Sequence, residues 1–227
     1  MRYAICLEEM EGRWIAHAPS LPGCFASAEQ RHVTEASIPQ AIRDYFAWRR
    51  SHGDDLAREP SIEIAIHEVI REWAHPAEPD YLVNAFFAAD APPLMSDDIY
   101  LALRLLEWSR ADLWASIDGL TLDVLNRLVE GEWSIGGILN HVSRAEWWYL
   151  DRLELAPPTD KEPREWRARL EMARARLIEV LPRLEGVARI ELRIGEVWSP
   201  RKMLRRAIWH ERDHTQHILQ FRARLGV

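Results

Sequence analysis

The chain has 227 residues, of which 48% are hydrophobic and 29% charged, and its formal net charge is −7. This composition is typical of a soluble globular protein with one large or two modest domains. The acidic balance argues against nucleic-acid binding, and no apolar run approaches the roughly 20 residues that cross a bilayer. Glu8 and Glu9 stand where a signal peptide needs an apolar stretch, so we expect a cytoplasmic protein.

The first ninety residues have the alternating polarity of short β-strands, interrupted by one helical stretch. A Glu11-Gly12 turn joins the first two strands into a hairpin, and a short extended piece ends at Ala26. Apolar residues recur at helical spacing over 34–52. Residues 1–90 are therefore predicted to form an α+β domain, a small antiparallel sheet with one helix. The four strands predicted from alternation cover 2–9, 13–18, 61–73 and 81–87.

The rest of the chain has the 3.6-residue apolar period of helices. A linker is predicted within 88–95. Pro182 is expected to kink or end the helix that contains it. Because four of the predicted helices are long, residues 96–227 are predicted to form an all-α domain, a four-helix bundle. The predicted helices cover 96–117, 122–129, 134–153, 163–185 and 200–224.

Two of these helices begin with the same device. Trp133 and Trp198 each precede a serine, Ser134 or Ser199, that can cap the helix that follows it. Each tryptophan is predicted to staple onto an apolar residue in the first turn.

Histidines in the helical half give the main chemical signal. His210 and His214 are four residues apart, which on a helix places both imidazoles on one face, about 6 Å apart along the axis. One metal ion can bridge that separation. His141 lies seven residues after a predicted cap, from where it can supply a third nitrogen across a bundle core. Spacing alone also allows a chance pair on a helix surface and a packed core histidine.

Neighbouring side chains provide candidates for a pocket around these histidines. Arg206 lies one turn before His210 and could hold a substrate carboxylate, while Trp148, seven residues after His141, could form an apolar wall. Ordinary packing is the alternative for both. His217 follows on the same stripe, and we interpret it as an outer partner of the ligands rather than a ligand. No catalytic residue can be named from the sequence.

Two segments resemble the DinB/YfiT family of metal-dependent enzymes. Residues 133–142, WSIGGILNHV, are similar to the family's tryptophan–serine helix start that leads into a histidine. Residues 208–218, IWHERDHTQHI, are similar to its paired histidines in the last helix. The resemblance covers residues 97–225 and implies a four-helix bundle that holds a metal through His141, His210 and His214. It also implies a homodimer. The family often has a glutamine where this chain has His217.

Residues 1–70 resemble the HicB-type antitoxin fold. The resemblance rests on YAI at 3–5, WIAHA at 14–18 and the turn LPGC at 21–24. The helix that follows contains Pro39, so it is expected to begin later, with Ser37 as its cap. No DNA-binding segment follows this part, so a binding or dimerising accessory module is expected.

The resemblance to the DinB/YfiT family also suggests a chemistry. Three imidazoles leave at least one coordination position open on a divalent ion, zinc or nickel being the leading candidates. Several DinB-like proteins are thiol-dependent S-transferases or isomerases. We therefore predict a metal-dependent S-transferase or hydrolase in which a water molecule or a low-molecular-weight thiol is activated for attack on a small electrophile. The alternative is a non-enzymatic binding or regulatory protein of two modules, with a structural or idle metal site.

Overall fold

A computed structural model describes residues 2–55, 61–75, 77–128 and 133–227. The described chain divides into two compact units. The first contains the described residues up to Pro92 together with Leu192–Trp198, and the second contains Pro93–Glu191 and Ser199–Val227. Among the described residues, no helix is both long enough and apolar enough to cross a membrane.

The amino-terminal unit is built on a mixed sheet. Its described strands are β1 (Arg2–Met10), β2 (Arg13–His17), β3 (Phe25–Ala28) and β4 (Glu63–Arg71), in the spatial order β3-β2-β1-β4. The predicted hairpin is confirmed: β1 and β2 pair antiparallel, and Glu11 and Gly12 have the positive φ angles, 53° and 75°, of a tight turn. The prediction of a wholly antiparallel sheet was wrong, because β4 pairs with β1 in parallel.

A helix between β3 and β4 explains the parallel pairing. This helix, α1 (Arg31–Ser51), packs on β2 and β3 and buries Ile38 and Ile42. Since β1 and β3 both run antiparallel to β2, they point the same way. A helix that carries the chain back along the sheet lets the next strand enter in that same direction.

The start of α1 differs from the prediction. The helix begins at Arg31, with Gln30 as its N-cap, and Pro39 lies inside it. Ser37 is therefore not a cap; its hydroxyl donates to the carbonyl of Val33 at 2.8 Å. A proline removes one helical hydrogen bond and costs about 3 kcal/mol. The helix continues through it because the helical face before the proline is already buried against the sheet.

Two small hairpins form separate two-stranded sheets. The first pairs β5 (Trp73–His75) with β6 (Glu78–Val83), so the strands predicted at 61–73 and 81–87 are only approximately placed. The second, β7 (Glu191–Arg193) with β8 (Glu196–Trp198), was not predicted. Its turn has positive φ angles at Ile194 and Gly195. A β-branched residue seldom adopts that conformation, so the sequence carries no ordinary hairpin signal here.

The carboxy-terminal unit is helical, and the predicted helices are confirmed within a few residues. The second one is shorter than predicted, because it ends at Leu125; its predicted end, Val129, lies outside the described residues. The α-helix predicted at 163–185 ends at Val180, two residues before Pro182, and continues only as a tight turn. The helices are α2 (Ser96–Ile117), α3 (Leu122–Leu125), α4 (Ile135–Arg152), α5 (Trp166–Val180) and α6 (Pro200–Leu225).

The helix that carries the paired histidines, α6, packs against both α2 and α4, and α4 also packs against α5. The apolar stripes of these helices meet in a common core. This packing brings α4 and α6 side by side along the faces that bear His141 and the pair His210 and His214. One cluster of this core contains Leu113, Ile117, Leu125, Ile135, Ile138, Leu139, Val142, Leu170, Ile218 and Phe221.

Both predicted serine caps are present. The Ser134 hydroxyl accepts a hydrogen bond from the N–H of Gly137 at 3.1 Å, and the Ser199 hydroxyl accepts one from the N–H of Lys202 at 3.0 Å. The two preceding tryptophans differ, however. Trp198 is fully buried, whereas Trp133 is 52% exposed. The caps fix where α4 and α6 begin, and so fix the register of the histidines along each helix.

Removing the Ser199 cap should destabilise the protein measurably. Ser199 is buried, so Ser199→Ala leaves the Lys202 N–H without its cap and is expected to lower the free energy of unfolding by about 1 kcal/mol. Urea denaturation followed by circular dichroism measures the change. Ser37→Ala is the control, because Ser37 is an exposed serine within a helix; an equal loss in both variants would contradict the capping role.

Candidate metal centre

Three histidine rings converge between α4 and α6. The Nε2 atom of His210 lies 2.9 Å from Nε2 of His141 and 3.1 Å from Nε2 of His214. These three side chains can each present one ligand atom within 4.8 Å of the others. The structure therefore brings together the three histidines singled out from the sequence.

The local sequence explains why these rings meet. His210 and His214 lie one helical turn apart on α6, so they project from the same side of it. His141 lies two turns into α4, counted from the Ser134 cap. Because α4 and α6 are packed against each other, a side chain at that depth on α4 reaches the histidine pair.

The chemistry of the three nitrogens fits a metal ion better than hydrogen bonding. Each Nε2 atom has one in-plane valence, which holds either a proton or a lone pair. His210 Nε2 cannot serve both of its neighbours through that one valence. A cation can accept a lone pair from all three rings, and ligands about 2.1 Å from a tetrahedral zinc ion lie roughly 3.4 Å apart. The observed separations of 2.9 and 3.1 Å are close to this spacing.

Aromatic side chains surround the cluster. The ring of Trp133 lies 4.7 Å from that of His141, and the ring of Tyr149 meets that of His210 edge-on at 5.9 Å. Trp133 is half exposed, whereas His210 is only 7% exposed. Trp133 therefore lies on the solvent-exposed side of the cluster, and Tyr149 lies on its buried side.

The other residues predicted around the histidines have different neighbours in the structure. Arg206 is buried, with its guanidinium carbon 4.7 Å from the Trp209 ring and 5.8 Å from the Tyr149 ring, so it stands beside the residues that contact His210. The His217 ring stacks at 6.1 Å on that of His214 and is not one of the three converging rings. Trp148 lies under the guanidinium of Arg152, 4.9 Å away.

Next to the cluster is a buried ring of charges drawn from four helices. Arg110 of α2 donates to Glu211 of α6 and to Glu146 of α4, at 2.5 Å each. Arg174 of α5 donates to Glu146 at 2.5 Å and to Glu211 at 2.6 Å. The Ser109 hydroxyl adds a bond to Glu211 at 2.6 Å. All four charged side chains are at most 10% exposed.

Electrostatic interactions within the ring of charges keep Glu211 and Arg174 ionised. Burial alone would raise the pKa of the Glu211 carboxyl, but the charges of Arg174 and Arg110 and the Ser109 hydrogen bond hold that pKa below its ordinary value. Burial likewise opposes the charge of Arg174, but Glu146 and Glu211 raise the pKa of its guanidinium above the ordinary value. Glu211 and Arg174 are therefore charged at neutral pH.

Comparison with known families agrees with this arrangement. The family model described as the DinB superfamily matches residues 105–218, half of the chain. The chain belongs to the DinB superfamily. The matched segment contains the three converging histidines, His141, His210 and His214.

A different relative is similar to a much shorter part of the chain. The chain is 28% identical over 68 residues to the UPF0150 protein Ta0767 of Thermoplasma acidophilum; the match covers 30% of this chain and 99% of that protein. This distant similarity points to a HicB-like module outside the DinB segment. No solved structure shows a significant match to the chain.

Three features of the DinB site were not found from the sequence. Trp133 was interpreted as a helix staple, although its ring lies over His141; a tryptophan directly before the cap of a ligand-bearing helix is the signal that was available. Tyr149 was passed over in favour of its neighbour Trp148. The buried ring of charges that contains Arg110 and Arg174 could not be predicted from the sequence, because arginines and acidic residues at helical spacing usually indicate a solvent-exposed helix face.

Proposed function

We propose that the DinB domain is a divalent-metal-dependent enzyme in which His141, His210 and His214 bind a zinc or nickel ion. The site would activate water or a low-molecular-weight thiol for attack on a small electrophile. The observation that carries the proposal is the convergence of three Nε2 atoms on one point, with separations of 2.9 and 3.1 Å. In this proposal α2, α4, α5 and α6 are the four helices of a bundle that supports the site.

The donor set favours a reactive over a purely structural metal. Structural zinc sites are usually closed by four protein ligands, whereas three imidazoles leave a position open. A bound ion would supply Lewis acidity there, lowering the pKa of a coordinated water or thiol toward neutrality. His141 and His214 are less buried than His210, so solvent and substrate would reach the site from their side of the cluster, where Trp133 is half exposed.

The chain's own residues would bind and orient the substrate. Arg206, whose guanidinium lies against the Tyr149 and Trp209 rings, would bind a carboxylate on the substrate. Trp133 and Trp148 would contact the apolar part of the substrate. His217, stacked on His214, would hold the orientation of that ligand ring, as outer partners of metal-bound histidines commonly do.

A thiol-consumption assay tests this proposal. The metal-loaded chain is mixed with 2-mercaptoethanol and a small epoxide, and the remaining thiol is titrated with a chromogenic disulfide; ester hydrolysis is followed in parallel. We expect one of the two reactions to exceed the uncatalysed rate at least about 100-fold, the low end of what positioned acid–base and metal chemistry supplies. His210→Ala and chelation should each abolish the excess, while His217→Ala should retain part of it.

A non-enzymatic role is the second candidate, and it draws on the second module that the resemblance of residues 1–70 to the HicB-type antitoxin fold and the similarity to the UPF0150 protein suggest. Here the chain is a two-module binding or regulatory protein, and the ion only braces the helices. This candidate predicts no rate excess in either assay. It also predicts a loss of stability on metal removal. When the free metal concentration is 1,000 times the Kd of the site, chelating the metal should lower the free energy of unfolding by about 4 kcal/mol. Stability loss without catalysis would overturn the enzyme proposal.

A further inference from the structure

The buried ring of charges joins the two helices that carry the histidines. Glu146 lies on α4, and Glu211 lies on α6 directly after His210. Arg110 bonds both carboxylates, and so does Arg174, with nitrogen–oxygen distances of 2.5 to 2.6 Å. Each arginine therefore bridges α4 to α6. The two arginines come from α2 and α5, which carry none of the three converging histidines.

Metal binding requires tight control over the rotation of α6. Side chains extend about 5–6 Å from a helix axis, so a rotation of about 20° moves a ring nitrogen by roughly 2 Å. Metal–ligand distances tolerate only about 0.2 Å. Each van der Waals contact of the apolar core is individually small, and hydrophobic burial is non-directional. Glu211 projects about 100° around the helix from His210, and its bonds are directional.

Stability alone does not account for four buried charges. The free-energy cost of desolvating buried charges offsets most of the Coulombic attraction between them. Replacing such a set by apolar side chains of similar volume therefore often leaves a protein equally stable. A role in fixing one arrangement of the helices is the better attested use of buried polar groups. Here the helices so fixed are the ones that hold the converging nitrogens.

We propose that Arg110 and Arg174 are positioning residues that clamp Glu146 of α4 to Glu211 of α6 and thereby set the geometry of the three-histidine metal centre. This inference rests on the proposed metal site. In this proposal the arginines would contact neither the ion nor the substrate. They act through Glu211, whose backbone is continuous with that of His210.

Cobalt binding measures this positioning directly. Co²⁺ affinity is determined by competition with a chromophoric chelator, and coordination geometry is followed by visible absorption. Glu211→Gln is expected to bind Co²⁺ about 10–100-fold more weakly than the wild type, with an altered absorption spectrum. The control is Asp54→Asn, which breaks the Arg49–Asp54 pair of the amino-terminal unit, joined at 2.8 Å; it should bind Co²⁺ like the wild type.

A second variant separates positioning from stability. The ring is replaced as a whole by apolar residues, Arg110→Met, Glu146→Leu, Arg174→Met and Glu211→Leu, so that no charge is left unpaired. This variant should unfold near the wild-type urea midpoint and still bind Co²⁺ at least about 10-fold more weakly. It also decides the question if Glu211→Gln does not fold.

The outcomes distinguish the two proposals. If the wild type binds Co²⁺ and the folded ring variants match its affinity and spectrum, the positioning role is overturned while the metal site stands. If the wild type does not bind Co²⁺, the metal site is overturned and the positioning role falls with it. Weaker binding and a changed spectrum in the ring variants, but not in Asp54→Asn, support both.

Discussion

His210→Ala is expected to abolish metal binding. The wild-type chain, purified without chelator or nickel resin, should contain about one divalent ion, as a site of three imidazoles permits. His210 should be the most sensitive ligand because its Nε2 atom is the one in contact with both other rings, and because it is the most buried of the three. Elemental analysis by mass spectrometry gives the metal content per chain.

The other ligands and a matched control sharpen this result. His141→Ala and His214→Ala should also lose the ion, since two imidazoles do not hold a divalent ion firmly at neutral pH. His217→Ala, on the same helix, should keep it, because its ring stacks on His214 at 6.1 Å without joining the cluster. Circular dichroism must show that all the variants are folded. An unchanged metal content in folded His210→Ala would refute the three-histidine site.

The candidate site could be predicted in part because helical spacing is a local property. The separation of His210 and His214 and the two serine caps follow from the printed sequence alone. That His141 faces the pair depends on how α4 and α6 pack, which spacing does not determine. The resemblance to a known family supplied that step, and the Nε2 distances now support it.

What the sequence did not reveal depends on contacts between distant segments. Arg110 and Arg174 look like residues of solvated helix faces, and they become buried only where four helices meet. The parallel pairing of β4 is likewise set by the crossover through α1 rather than by the strand's own residues. Pro39 shows the converse case, because tertiary burial kept α1 helical across a residue that usually breaks a helix.

Arg174→Met should cause a large loss of stability. Arg174 is buried among helices, and removing it leaves Arg110 as the remaining guanidinium for both Glu146 and Glu211. Breaking a buried ion pair by removing one partner costs about 3–5 kcal/mol, because a charge is left without compensation in a medium of low polarity. Urea unfolding at pH 7, followed by circular dichroism, measures the loss. Arg183→Met, in the exposed turn after α5, should leave the midpoint almost unchanged.

A double variant shows whether the loss comes from charge or from packing. Arg174→Met combined with Glu211→Gln removes one positive and one negative charge, so the ring keeps the balanced pair of Arg110 and Glu146. The double variant should therefore be more stable than the sum of the two single losses implies, by about 0.5–3 kcal/mol, the usual coupling between residues of one ionic network. Simple additivity would mean that the two residues act through separate packing contacts, and the ring would then not be a single electrostatic unit.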